Sequence, residues 1–128
     1  MILLLDTSTS ICKLTLVDGE WRYHDEWRAD RTLAKDLLRY LQYQLSKNNK
    51  SWQDVSAIGA FQGPGSFTGL RIGLTVLNTV AVSLSVPIVG CEGESWLEEA
   101  VMRLRQGDND RLIMPLYGSE ANITKPRK

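Results

Sequence analysis

Val55-Ser56-Ala57-Ile58-Gly59-Ala60-Phe61-Gln62-Gly63-Pro64-Gly65-Ser66-Phe67-Thr68-Gly69-Leu70-Arg71-Ile72-Gly73 is the stretch that decides the fold. Residues 55–61 are a short apolar run, and a long apolar pattern at helical spacing opens near residue 67. A run bounded in this way by Gly and Pro reads as a buried strand that delivers the chain through a turn into a helix. The turn itself has two readings. Free N–H groups and a helix dipole favour an anion at such a place, while glycines also supply the dihedrals that a tight turn needs. Gly69 is followed by Leu70 rather than Lys-Ser/Thr, and the glycine spacing is GxGxxxG rather than GxGxxG, so neither of the common nucleotide fingerprints is met. Pro64 removes one donor. Local chemistry favours the structural turn. If an anion binds, its corner combines Gly65 and Ser66 with Asp6, Thr7 and Ser8 at the end of the N-terminal strand.

The helix after the turn has one face of Leu70, Leu74, Leu77, Ala81 and Leu84, suited to a sheet. An adjoining face carries Gly69, Ile72, Gly73, Val76, Val80 and Ser83. Together they span an arc of roughly 200°, leaving Arg71, Thr75, Asn78 and Thr79 as a narrow polar side. Glycine inside a helix costs roughly 0.5–1 kcal/mol relative to alanine, which is tolerable where another backbone comes close. Either the preceding helix packs there, or both helices share a surface for a second protein; the second reading is favoured. That preceding helix starts at an Asp30 or Thr32 cap and runs to Lys47, with Leu33, Ala34, Leu37, Leu38, Tyr40, Leu41 and Leu45 covering roughly 160°. The expected contact residues are Leu33, Leu37, Tyr40 and Leu41 with Gly69, Ile72, Gly73, Val76 and Val80. Exposed apolar patches of this kind are unfavourable in water, so the chain alone is expected to form a two-fold homodimer.

Upstream, residues 1–6 and 11–17 read as strands, and Asp18-Gly19 signals a hairpin into a third strand, residues 20–27, with Trp21, Tyr23 and Trp27 on alternate positions. Downstream, Pro87–Gly90 is a short strand and Glu94–Gln106 a third helix. The order βββαβαβα predicts an α/β fold with a mixed sheet, as in a single ribonuclease-H-like or actin-like ATPase lobe. Residues 1–107 form that lobe, and residues 108–128 a short C-terminal segment with a basic tail, Lys125, Arg127 and Lys128. Ile72–Cys91 carries no charge over the length of a membrane span, but Gly73, Asn78 and Pro87 within it point to a buried helix followed by a strand, with no membrane contact.

Lys and Arg balance Asp and Glu at 15 each, which disfavours a protein whose main task is to grip nucleic acid. Cys12 and Cys91 read as buried apolar residues rather than a disulfide, and the single histidine, His24, as an exposed strand residue. No metal-ligand set or cofactor motif is present in the sequence. The N-terminus lacks the basic region of a signal peptide, and a cytoplasmic protein is expected.

Ile2-Leu3-Leu4-Leu5-Asp6-Thr7-Ser8-Thr9 resembles the opening strand of TsaB (YeaZ) proteins, and residues 63–73 match that family's signature without a gap. Val86-Pro87-Ile88-Val89-Gly90 is similar to the strand after the signature helix, and Pro115-Leu116-Tyr117 with Ile123-Thr124-Lys125-Pro126 to the family's C-terminal end. The resemblance implies a non-catalytic subunit of the machinery that makes threonylcarbamoyladenosine at position 37 of tRNA. Its implied partner is the enzyme TsaD, in a heterodimer formed through helices, with the ATPase TsaE as a further member and with tRNA contact indirect or weak. Family members usually have a second domain, most of which this sequence lacks. The family's usual histidine near the first helix is replaced around Asp30-Arg31-Thr32, and Asn78-Thr79-Val80 stands where a lysine-glycine pair is common. An autonomous nucleotide hydrolase or a metallopeptidase-like enzyme is the alternative.

Overall fold

The computed structural model describes residues 1–116. The basic tail and the family-like residues from Tyr117 onward lie outside the described residues.

Three strands open the chain: β1 (Ile2–Asp6), β2 (Ile11–Asp18) and β3 (Trp21–Arg28). They form an antiparallel meander in which Leu4 faces Thr15 and Leu14 faces Asp25. Gly19, at φ 63°, makes the tight β2–β3 turn that Asp18-Gly19 predicts. Strands β4 (Ala57–Phe61) and β5 (Ile88–Cys91) lie parallel to β1 and to each other, giving the order β3-β2-β1-β4-β5. This mixed sheet is the ribonuclease-H-like arrangement expected of the lobe.

Helices α1 (Leu33–Lys47) and α2 (Phe67–Leu84) cover one face, and α3 (Trp96–Arg105) covers the other at β4 and β5. Strand β1 shows why its leucine run has no polar alternation. Leu3 and Leu5 join Leu37, Leu41, Leu74 and Leu77 on the first face, while Leu4 joins Val89, Ala100 and Leu104 on the second. A strand buried on both faces must be apolar at every position.

Some boundaries shift. Neither Asp30 nor Thr32 caps α1 with its side chain: residues Asp30–Thr32 are a 3-10 turn, and the Thr32 hydroxyl donates to Ala29 O at 2.7 Å. Ala29 N–H and Asp30 N–H both reach Ser10 O, which ties this link to the β1–β2 loop. Strand β4 starts at Ala57 rather than residue 55 because Trp52–Asp54 form another 3-10 turn, closed by Ser51 N–H donating to Asp54 Oδ2 at 2.8 Å. Helix α2 is long and apolar enough to cross a membrane. Its Leu70, Leu74, Leu77 and Ala81 are buried, with Leu74, Leu77 and Ala81 in the core beneath α1 and α2, so it packs as a core helix.

Residues 108–116 return over the lobe. Asp110 N–H bonds Ile88 O, Asn109 Oδ1 accepts Ile88 N–H, and Asp110 Oδ2 accepts Gly90 N–H, so side chains close the outer edge of β5. Blocking the polar groups of an edge strand removes a template for pairing with another chain. Arg103 fixes this cover by bonding Asp108, Asp110 and Gly90 O. Further on, Ile113 is buried in the core, and the Asn78 amide both donates to its carbonyl and accepts from its N–H, each at 2.9 Å.

Candidate partner interface

The nine residues expected at a contact surface divide by burial. Leu33, Leu37 and Leu41 point into the core from α1 and are at most 5% exposed. Gly69 and Gly73 are also buried, and the close neighbour that needs them is the chain itself. A Cβ at Gly69 would collide with the Thr7 carbonyl oxygen, and one at Gly73 with the Thr7 hydroxyl, with Thr7 Cγ2 at 2.8 Å. The two glycines therefore let α2 settle on the end of β1 and do not open a place for a partner's backbone.

Tyr40 is half-buried on the flank of α1 that faces β3. Its ring stacks on Trp27 with centroids 4.7 Å apart, and its hydroxyl donates to Asp25 Oδ2 at 2.6 Å. Burial and the Asp25 carboxylate both push its pKa up. Beside it, the Tyr23 hydroxyl donates to buried Gln44. Tyr40 thus bolts α1 to the edge strand, away from α2.

Ile72, Val76 and Val80 remain. They are half-buried and packed against the core that α1 shares, so packing by the preceding helix accounts for the inner part of their face. Ile72 and Val76, but not Val80, also line an open groove of ≈ 450 Å³ between the helices, with Ala34, Thr68, Arg71 and Thr75 on its other walls. Leu38, one helical turn after Ala34, is 52% exposed. A second groove of ≈ 650 Å³ continues toward Thr9, Ser10, Arg31 and Ser66 and shares Thr68 and Ile72 with the first. Ala34 and Leu38 belong to the apolar set of α1, but periodicity alone does not say which flank of the set the sheet covers.

Asp6, Thr7, Ser8, Gly65 and Ser66, the residues of the possible anion corner, lie together, and several of their polar groups bond within the chain. Ser66 N–H donates to Ser8 O at 2.8 Å, Gly69 N–H reaches Ser66 Oγ at 3.3 Å, and Ser8 N–H donates to Asp6 Oδ1 at 2.8 Å. The buried Thr7 hydroxyl donates to Gly69 O at 2.8 Å. A Cβ on Gly65 would meet Ser8 Cβ at 2.5 Å, so this glycine too makes room for the β1–β2 loop. The corner works as a latch between that loop and the start of α2. Among the described residues no group of three or more His, Cys, Asp or Glu could hold a metal ion. Burial raises the pKa of both free cysteines, that of Cys12 to about 12.

Comparison with known proteins agrees with this architecture. A family model described as TsaD, tRNA N6-adenosine threonylcarbamoyltransferase, matches residues 27–109. The TsaB protein of Haemophilus influenzae is 30% identical over 108 residues, which are 84% of this chain and 46% of that protein. TsaB of Escherichia coli is 34% identical over 90 residues, 70% of this chain and 38% of that protein. The solved structure of YeaZ from Pseudomonas aeruginosa superposes with a TM-score of 0.69 at 29% identity, covering 83% of this chain and 49% of the other. The chain thus spans about half the length of the curated relatives it matches. With the sheet order, the signature turn latched onto β1 and these similarities together, the chain belongs to the TsaB (YeaZ) family, within the wider group that the TsaD model describes.

Proposed function

We propose that this chain is a non-catalytic subunit in the formation of threonylcarbamoyladenosine at position 37 of tRNA, and that it acts by seating a TsaD-like enzyme on its α1–α2 face. The observation that carries the reading is the open seam between two helices packed on one side of the sheet, where Ala34, Leu38, Ile72 and Val76 leave apolar surface in water. Such surface favours a partner with an apolar stripe. The names of the relatives supply the pathway. In this reading the protein is cytoplasmic, a TsaE-like ATPase joins the pair, tRNA contact is indirect, and the same seam supports a homodimer when the enzyme is absent.

A variant that tests the idea has to leave the packing of α2 on Thr7 intact. Gly73→Arg would break the packing on Thr7 and confuse misfolding with lost binding. Leu38→Glu places a charge at a position that is 52% exposed. Copurification with the TsaD homologue of the same genome should be lost in this variant while its circular dichroism and unfolding midpoint stay unchanged. Full retention of the complex by a folded Leu38→Glu chain would remove the seam from the account.

A further inference from the structure

The charge around the seam is lopsided. Arg71 lines one groove and Arg31 the other, and exposed Lys35 follows Arg31 by four residues beside Ala34. Helix α2 contains no acidic residue, and Arg71 is its sole charge. Asp30 is the one carboxylate on either groove wall, and it lies 3.9 Å from Arg28. Among the described residues no carboxylate comes within 4.0 Å of Arg31, Lys35 or Arg71, a property they share with Lys13, Arg22, Lys47, Arg105 and Arg111; what sets Arg31 and Arg71 apart is that they stand on the groove walls. Arg71 is instead held over the Phe67 ring, 5.2 Å from its centroid.

We propose that the seam is built for a partner helix bearing carboxylates along the edge of its apolar stripe, opposite Arg31, Lys35 and Arg71. The inference rests on the reading of the seam as a partner seat and names the chemistry of its occupant. A second copy of this chain is a poorer match, because its own seam presents the same cations. Nucleic acid is a poorer match as well, because Ala34, Ile72 and Val76 put apolar surface among the cations, with Thr68 and Thr75 as the polar lining beside them. Rim charges act mainly on the association rate and are screened by salt. The heteromeric pair should therefore associate more slowly as salt rises, while a symmetric self-contact, bringing cation toward cation, should strengthen.

The test is stopped-flow association of the full chain with the TsaD homologue of the same genome, at low and high salt. It compares the wild type with an Arg31→Glu, Lys35→Glu, Arg71→Glu triple variant. The expected result is a fall in association rate of about ten-fold at low salt that shrinks to about two-fold at high salt. If the triple variant does not fold, Lys35→Glu alone, at an exposed and unpaired position, should slow association about three-fold. An unchanged rate in a folded variant overturns the inference while leaving the seam as an apolar seat. So does loss of tRNA retention with the protein–protein rate intact, which would assign the cations to RNA. Failure of the wild type to bind the enzyme at all removes both the inference and the reading beneath it.

Discussion

Replacing Gly73 with alanine adds one methyl group to the side of α2 that rests on Thr7. The new Cβ would stand 2.8 Å from Thr7 Cγ2 and 2.9 Å from Thr7 Cβ, with the hydroxyl closer still. Thr7 is 3% exposed and branched at Cβ, and its hydroxyl is held by Gly69 O. It has no flexible end that can swing aside, so α2 or the β1–β2 loop must shift. Overpacking of this kind costs about 1–3 kcal/mol. Loss of the buried hydroxyl bond adds about 1 kcal/mol. The helix-propensity gain of alanine over glycine offsets about 1 kcal/mol. The net expectation is a destabilisation of about 1–3 kcal/mol, or a urea midpoint lowered by about 1 M. Urea unfolding followed by circular dichroism measures it. Thr7→Ala removes the nearest atoms, so the cost of Gly73→Ala should be smaller in that background, a coupling that a double-mutant cycle resolves. If Gly73→Ala is as stable as the wild type or more so, the glycine is not there for Thr7, and the argument for the latch fails.

Three further outcomes follow from other contacts. Asn78→Ala removes both amide bonds to buried Ile113 and should cost about 1–3 kcal/mol, with faster hydrogen exchange and proteolysis confined first to residues 111–116. Arg103 holds the Asp110 carboxyl below its ordinary range. The stability this supplies is complete above the unfolded pKa near about 3.9 and is lost as pH falls through the lower folded value. Asp110→Asn should therefore be less stable at neutral pH and lose less stability than the wild type on acidification below about pH 4, as read from unfolding midpoints across pH. Cys12, buried and with its thiol pushed up to about 12, should react with a thiol reagent only at the rate of unfolding. Prompt labelling of Cys12 in native buffer would contradict its placement.

Much of the fold is legible in the sequence because its signals are local. The Leu3-Leu4-Leu5 run, the Asp18-Gly19 turn and the helical spacing from Leu70 to Leu84 each reflect the face that a segment must bury, and their succession implies a mixed sheet, while the strand order β3-β2-β1-β4-β5 is seen only in the structure. The site is less legible because its decisive contacts are distant in sequence. Thr7 meets Gly69 across 62 residues, and no pattern around Gly69 or Gly73 says that the approaching backbone belongs to the same chain. Tyr40 belongs to the apolar arc of α1, yet Asp25 and Trp27 draw it to β3, which leaves Ala34 and Leu38 as the residues beside the open seam. The 3-10 turns at Asp30–Thr32 and Trp52–Asp54 likewise depend on hydrogen bonds made through Ser10 and Ser51, which polar residues in a link do not announce.

The central claim is that the α1–α2 seam seats a TsaD-like enzyme, and light scattering after gel filtration tests it most directly, on the chain alone and mixed with the TsaD homologue of the same genome. The account predicts a self-associated species that is replaced by a one-to-one complex in the mixture, with Leu38→Glu blocking the exchange. A monomer that elutes apart from the enzyme at every concentration would contradict it.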